Sequence, residues 1–185
     1  MLNFDYRNPT HVVFGKDRIA ELDQLVPANA RVLITYGGGS VQRFGTLDKV
    51  KAALGNRTVF EFGGIEANPK YDTLVKAVEV ARKENIDFLL AVGGGSVMDG
   101  TKFIALATQF DGDTASLLHH GFTPVPVAND KVIPLGVIAT LPATGSEMNA
   151  FAVVSYQGGK FPVNHPCAYP TFAMLDPELT FSLPK

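Results

Sequence analysis

Twice in this chain an apolar run passes through three glycines into a helical pattern, first as RVLITYGGGSVQRFG from Arg31 and again as DFLLAVGGGSVMDGTKF from Asp87. Each run is strand-like, being short, rich in β-branched or aromatic residues and closed by glycine. HVVF at 11–14 and TVFEF at 58–62 read the same way, so four short buried strands are expected, with DFLLAV occupying 87–92. Helical patterns lie between them. From Pro69 to Glu84, residues Tyr71, Leu74, Val75, Val78 and Ala81 share one face and Lys70, Lys76, Glu79 and Lys83 lie elsewhere, with Asn68 as N-cap and Pro69 as the first helical residue. After Ser96 another helix buries Val97, Thr101, Ile104, Ala105 and Thr108. Strand, glycine turn, helix, strand is the order of a parallel sheet covered by helices, whose ligands sit at the carboxyl ends of the strands.

The pattern lapses from Phe110 to Asp130 into a polar excursion containing Pro and Gly, which reads as a loop with one helical turn. Order resumes with KVIPLGVIAT (131–140), AFAVVSY (150–156) and TFAMLDP (171–177), so the second half is richer in strand than in helix. At 185 residues the chain is sized for one domain with a real core. Sixteen Lys+Arg against eighteen Asp+Glu, without a block of like charge, leave no basic footprint for nucleic acid or an anionic membrane surface. No apolar run approaches the ~20 residues of a membrane span. The N-terminus lacks the order of a signal peptide, and the single Cys167 has no internal partner for a disulfide. A soluble protein of the reducing cytoplasm is expected.

Glycines without side chains let backbone N–H groups face an anion, and the following helix N-terminus adds unpaired donors and about half a positive charge. A single triple glycine is equally well a tight turn, but two copies at equivalent strand ends favour phosphate binding. Neither copy completes G-x-G-x-x-G, which fails at Gln42 and at Met98. Gly95 to Gly100 approaches a P-loop, yet Thr101-Lys102 follows in the reverse of the required order, which argues against an ATPase. Ser96 and Asp99 also have the spacing of a capping box, compatible with Asp99 accepting a ligand hydroxyl or amide hydrogen.

TLPATGSE at 140–147 follows a strand and offers Thr140, Thr144 and Ser146, with Glu147 spaced as a capping-box partner of Thr144; a polar loop is the plainer reading. Lys160, after Gly158-Gly159, is the cationic side chain best suited to a phosphate or ribose. His119 and His120 are adjacent and point apart, and His11 and His165 lack companions at ligand spacing, so the histidines are expected on surfaces or loops. There is no G-x-S-x-G elbow, and Cys167 near His165 reads as an ordinary thiol. No general acid, nucleophile or metal cage can be built from these residues.

Together, THVVFGK, RVLITYGGGSV, EFGGIEANP, FLLAVGGGSVMDGTKFIA, TLPATGSEMNA and LDPELTFSLP resemble, in family order, the N-terminal half of the iron-containing (group III) alcohol dehydrogenases, in particular the branch of NADPH-dependent aldehyde reductases and butanol dehydrogenases. The resemblance implies an α/β, doubly wound, mostly parallel sheet with helices on both faces, a Rossmann-like dinucleotide-binding domain spanning 1–185. It places Gly94, Gly95 and Ser96 against the pyrophosphate, Asp99 toward the nicotinamide, and Asn68, Thr140, Leu141, Thr144, Val153 and Lys160 around the cofactor. The first turn, Gly37, Gly38, Gly39 and Ser40, falls at the adenosine ribose. NAD-dependent members carry an aspartate there, whereas Gly-Gly-Gly-Ser leaves room and donors for a 2′-phosphate, so NADPH is expected before NADH.

In the family a helical lobe follows the SLP segment and carries an aspartate and three histidines that hold iron or zinc against the substrate carbonyl or alkoxide. Those ligands have no counterpart here, so no catalytic or metal residue is carried over. The expectation is the cofactor half of an NADPH-dependent aldehyde/alcohol oxidoreductase, acting in the complete enzyme on a small aldehyde or alcohol and inactive alone. A non-catalytic nucleotide-binding module, or a relative of glycerol dehydrogenase or dehydroquinate synthase, is the alternative. An exposed face meant for the second lobe would promote association, so a homo-oligomer is expected.

Overall fold

The computed structural model describes residues 3–182. The chain runs β1 (His11–Phe14), α1 (Leu22–Leu25), β2 (Arg31–Tyr36), α2 (Ser40–Arg43), α3 (Thr46–Leu54), β3 (Thr58–Phe62), α4 (Tyr71–Lys83), β4 (Phe88–Gly93), α5 (Gly95–Ala107), β5 (Leu135–Ala139), β6 (Phe151–Tyr156), β7 (Gly159–Asn164) and β8 (Phe172–Leu175). Six strands form one sheet in the order β1-β8-β5-β4-β2-β3, and every neighbouring pair is parallel. β6 and β7 form a separate antiparallel hairpin joined at Gln157-Gly158.

Side chains of the central strands alternate between two cores, as a period of two requires. Val32, Ile34, Phe88, Leu90 and Val92 face Leu47, Val50 and Leu54 of α3 on one side of the sheet. Leu33, Leu89, Ala91 and Val137 face α4 and α5 on the other. The doubly wound α/β architecture is therefore as expected. β1 and β3 depart from the expected buried strands: they are the two sheet edges, and of the four β1 residues only Val13 is buried. The segment at 131–140 is a strand only over Leu135–Ala139, because Asn129–Lys131 turns as a 3₁₀ helix first. The long excursion carries a 3₁₀ turn at Thr114–His119. The terminal SLP of the last family block reaches Leu183-Pro184, outside the described residues.

α5 is enclosed almost entirely, from Val97 and Met98 through Ala107, because the sheet, α4 and the β6–β7 hairpin cover three of its sides. Gly100 permits the close approach of α4: a Cβ there would lie 2.8 Å from Leu74 Cδ2. At the far end the Arg82 guanidinium donates to the carbonyls of Ala107, Thr108 and Phe110, satisfying acceptors that a helix C-terminus leaves open.

Candidate dinucleotide site

β2 and β4 are neighbours, but their crossovers diverge. The chain leaves β2 through α2 and α3 toward β3, and leaves β4 through α5 toward β5 on the opposite face. This is the reversal of strand order at which open α/β sheets leave a crevice outside the carboxyl ends of their strands. Both glycine turns lie there. Gly37 and Ser40 from the first, Gly93 and Gly94 from the second, and Thr140 and Leu141 from the end of β5 line one cavity of about 250 Å³. A second, of about 720 Å³, shares Ser40, Val41 and Thr140 with it and extends over Phe44, Lys49 and Leu179, so the two form a continuous trough.

The turns need their glycines for different reasons. Gly39 has φ 97° and is the N-cap of α2, a left-handed conformation that strains a side-chain-bearing residue. Gly37 O accepts from Gly64 N–H, and a Cβ on Gly37 would meet Ile65 O at 3.2 Å; Gly38, between Gly37 and Gly39, faces open space. In the second turn a Cβ on Gly93 would strike Val97 at 2.7 Å, and one on Gly95 would lie 2.8 Å from Thr144 Oγ1. Gly94 is the N-cap of α5, in extended geometry, with Leu141 packed beside it and no capping side chain. The first-turn N–H donors of α5 thus meet the crevice without a side-chain acceptor.

The expected capping boxes are not formed, because tertiary partners outcompete them. Ser96 Oγ accepts from the Asn68 backbone N–H at 3.1 Å, and the Asp99 carboxylate accepts from Ser146 Oγ at 2.6 Å and from Val153 N–H at 3.0 Å. Thr144 and Glu147 likewise form no box; the 3₁₀ turn Ser146–Met148 starts from Gly145 with no side-chain cap. Asn68 is not an N-cap either: α4 starts from Lys70, and Asn68 adopts φ 56°. Its side-chain oxygen instead accepts from the Lys160 ammonium at 3.0 Å, across from the β6–β7 hairpin.

All fourteen residues singled out from the sequence therefore converge on one end of the sheet: the two turns across the crevice, Thr140, Leu141 and Thr144 along the β5 side, the Asn68–Ser96–Lys160 cluster, and Asp99 bonded to Val153. Burial pushes the Asp99 carboxyl above its ordinary range, against the Ser146 and Val153 hydrogen bonds and the nearby Lys102 charge, which lower it. Lys102 is the residue sequence reasoning missed. It is fully buried, its ammonium lies 2.6 Å from Ser146 O and 2.9 Å from Ser146 Oγ, and burial pushes it down to about 8 against the opposing charges of Asp99 and Glu147. A lysine inside the apolar run MDGTKFIALA, three residues after an aspartate, was the available signal.

His165 lies in a loop, as expected, between β7 and the 3₁₀ turn Pro166–Ala168. It is buried, at 3 % exposure, where Nδ1 accepts from Cys167 N–H and Nε2 donates to Val127 O at 2.9 Å, so its ring is committed to the backbone and not to the Cys167 thiol. Among the described residues no three His, Cys, Asp or Glu side chains group so as to hold a metal ion. No described helix is long and apolar enough to cross a membrane.

A family model for iron-containing alcohol dehydrogenase matches residues 9–177. The chain is 50% identical over 188 residues to an NADPH-dependent aldehyde reductase, YqhD, of Escherichia coli K12, covering 100% of this chain and 48% of that protein. It is 42% identical over 190 residues to NADH-dependent butanol dehydrogenase A of Clostridium acetobutylicum, again covering 100% and 48%. A crystal structure of E. coli K-12 YqhD superposes with a TM-score of 0.91 at 49% identity, covering 98% of this chain and 47% of the other. The chain spans about half the length of the curated relatives it matches. With the family model covering nearly the whole sequence and the same fold in a relative of almost one-half identity, this chain belongs to the iron-containing alcohol dehydrogenase family.

Proposed function

We propose that residues 1–185 form the dinucleotide-binding domain of an NADPH-dependent aldehyde/alcohol oxidoreductase. The observation that carries the reading is the meeting of two glycine turns across the crevice between β2 and β4, in a cradle that a Cβ at Gly93 or Gly95 would disturb. Gly94, Gly95 and Ser96 would hold the pyrophosphate at the start of α5, where backbone donors and the helix dipole favour an anion. Gly37 to Ser40 would hold the adenosine ribose, and the absence of a carboxylate in that turn favours a 2′-phosphate over a bare hydroxyl. Asn68, Lys160, Thr140, Leu141 and Thr144 would line its course, and Asp99 and Val153 its nicotinamide end. The bound nicotinamide supplies hydride chemistry. The protein's part is to orient that ring and exclude water, and the metal that would polarise an aldehyde or alcohol has no donor set among the described residues.

Gly94→Leu is the test. Gly94 has φ −90° and ψ −170°, which any residue adopts, and its Cβ direction meets only Leu141 at ordinary contact distance. The variant should keep its thermal midpoint and lose NADPH binding as followed by nucleotide fluorescence. Wild-type protein that fails to bind millimolar NADPH, or a variant that binds as wild type does, refutes the reading.

A further inference from the structure

Lys102 belongs to no expected function, yet it is the most heavily engaged charged group of α5. Asp99 and Lys102, three residues apart, project from the same face of the helix. Around the ammonium stand four acceptors: Ser146 O at 2.6 Å, Ser146 Oγ at 2.9 Å, Phe151 O at 2.9 Å and Asn149 Oδ1 at 3.1 Å. An ammonium has three N–H groups and accepts nothing, so every one of its donors is used. Its contact with Ser146 fixes a direction: with Lys102 donating to the hydroxyl oxygen, the Ser146 hydrogen points to Asp99 Oδ1, 2.6 Å away. At the same time Lys102 fastens both ends of the 146–151 segment, and two residues beyond it Val153 N–H holds Asp99 Oδ2.

Resting on the dinucleotide reading above, we infer that Lys102 is a positioning residue for the nicotinamide end of the cofactor, acting through Ser146 and the 146–153 segment to present Asp99 in one fixed orientation. Each Asp99 oxygen has one acceptor site taken from within the protein, which leaves the remaining lone pairs aimed by that network. An amide hydrogen on the ligand would meet an acceptor that does not have to reorganise. Ser146 and Asn149 are the intermediaries, and neither needs to touch the ligand.

The test separates the two ends of the ligand. Wild type, Lys102→Met and Ser146→Ala are titrated with NADPH and with 2′-phospho-ADP-ribose, which lacks the nicotinamide. NADPH affinity should fall about tenfold in both variants, the loss of a hydrogen bond to a charged group, while the fragment stays within about twofold of wild type. Parallel losses for both ligands would mean general damage to the domain, and no loss for either would mean no positioning role; each result overturns the inference. Should Lys102→Met fail to fold, Ser146→Ala, which keeps the lysine and removes only the relay hydroxyl, decides by the same criterion. If wild type binds neither ligand, the dinucleotide reading itself falls, an outcome distinct from fragment-only binding.

Discussion

Replacing Ser40 by aspartate should reverse the choice between NADPH and NADH. Ser40 is the exposed first residue of α2, preceded by Gly39 in left-handed geometry, and an acidic residue in a first helical turn suits the helix dipole, so the fold should tolerate Ser40→Asp. Ser40 lines the crevice, and a phosphate held against its turn would lie on the order of 5 Å from a carboxylate at position 40. Two unit charges at that distance repel by about 0.8 kcal/mol in water, and a phosphate bearing about two charges brings this to about 1.5 kcal/mol. An effective dielectric of about 40 in a half-enclosed crevice doubles it. For NADH the same carboxylate accepts the ribose 2′-hydroxyl, a gain of about 1 kcal/mol. The ratio of NADPH to NADH affinity should therefore fall on the order of a thousandfold, and the repulsive part should shrink in ~1 M salt, where the Debye length is about 3 Å. Calorimetric titration of both nucleotides at low and high salt measures this. An unchanged ratio would remove Ser40 from the 2′ site.

Other expectations follow from the same geometry. Gly136→Ala would drive its Cβ into the Phe172 ring at the centre of the sheet and should lower the unfolding free energy by about 2–3 kcal/mol, read from urea melts. Arg57, whose side chain is 5 % exposed, ties the carbonyls of Asp23, Val26, Pro27 and Leu54 together; Arg57→Met should cost about 2–3 kcal/mol in the same assay. Because Lys102 falls from its ordinary 10.5 to about 8 on folding, the unfolded chain binds more protons between those values, so stability should rise with pH across that window by about 3 kcal/mol and Lys102→Met should flatten the rise. Leu141, Phe151 and Val153 stand 39–43% exposed at the site and Phe122 76%, with Phe122 and Phe151 in edge contact, so sedimentation should show concentration-dependent association.

The parts of the fold carried by local pattern were legible in the sequence. β2, β4 and their glycine turns lie within one residue of where periodicity and glycine put them, because burial on both faces and the close approach of backbones leave little choice of residue there. What depends on strand order was not legible. β1 and β3 resemble the central strands in composition, and only the order β1-β8-β5-β4-β2-β3 makes them edges. The candidate site residues come mainly from the family blocks, whereas their contacts come from distant chain. Ser96 and Asp99 are spaced for a capping box, but Asn68 lies 28 residues from Ser96 and Ser146 lies 47 from Asp99, separations that no local rule anticipates. In the sequence Lys102 stands out only as a lysine in the reverse of P-loop order, and it is the enclosure of α5 that turns it into a buried charge that must be satisfied.

The opposite departures of the chain from β2 and β4 also bear on cooperativity. Each glycine turn is rooted in a different hydrophobic layer, the first in that of α3 and the second in that of α4 and α5. A dinucleotide lying across both would link the two layers directly, so its binding should slow amide exchange in α3 and α5 together, although they share no face. Mononucleotide fragments would protect one layer each, and the difference between their summed effect and that of the whole ligand would measure how far the two halves of the domain unfold as one.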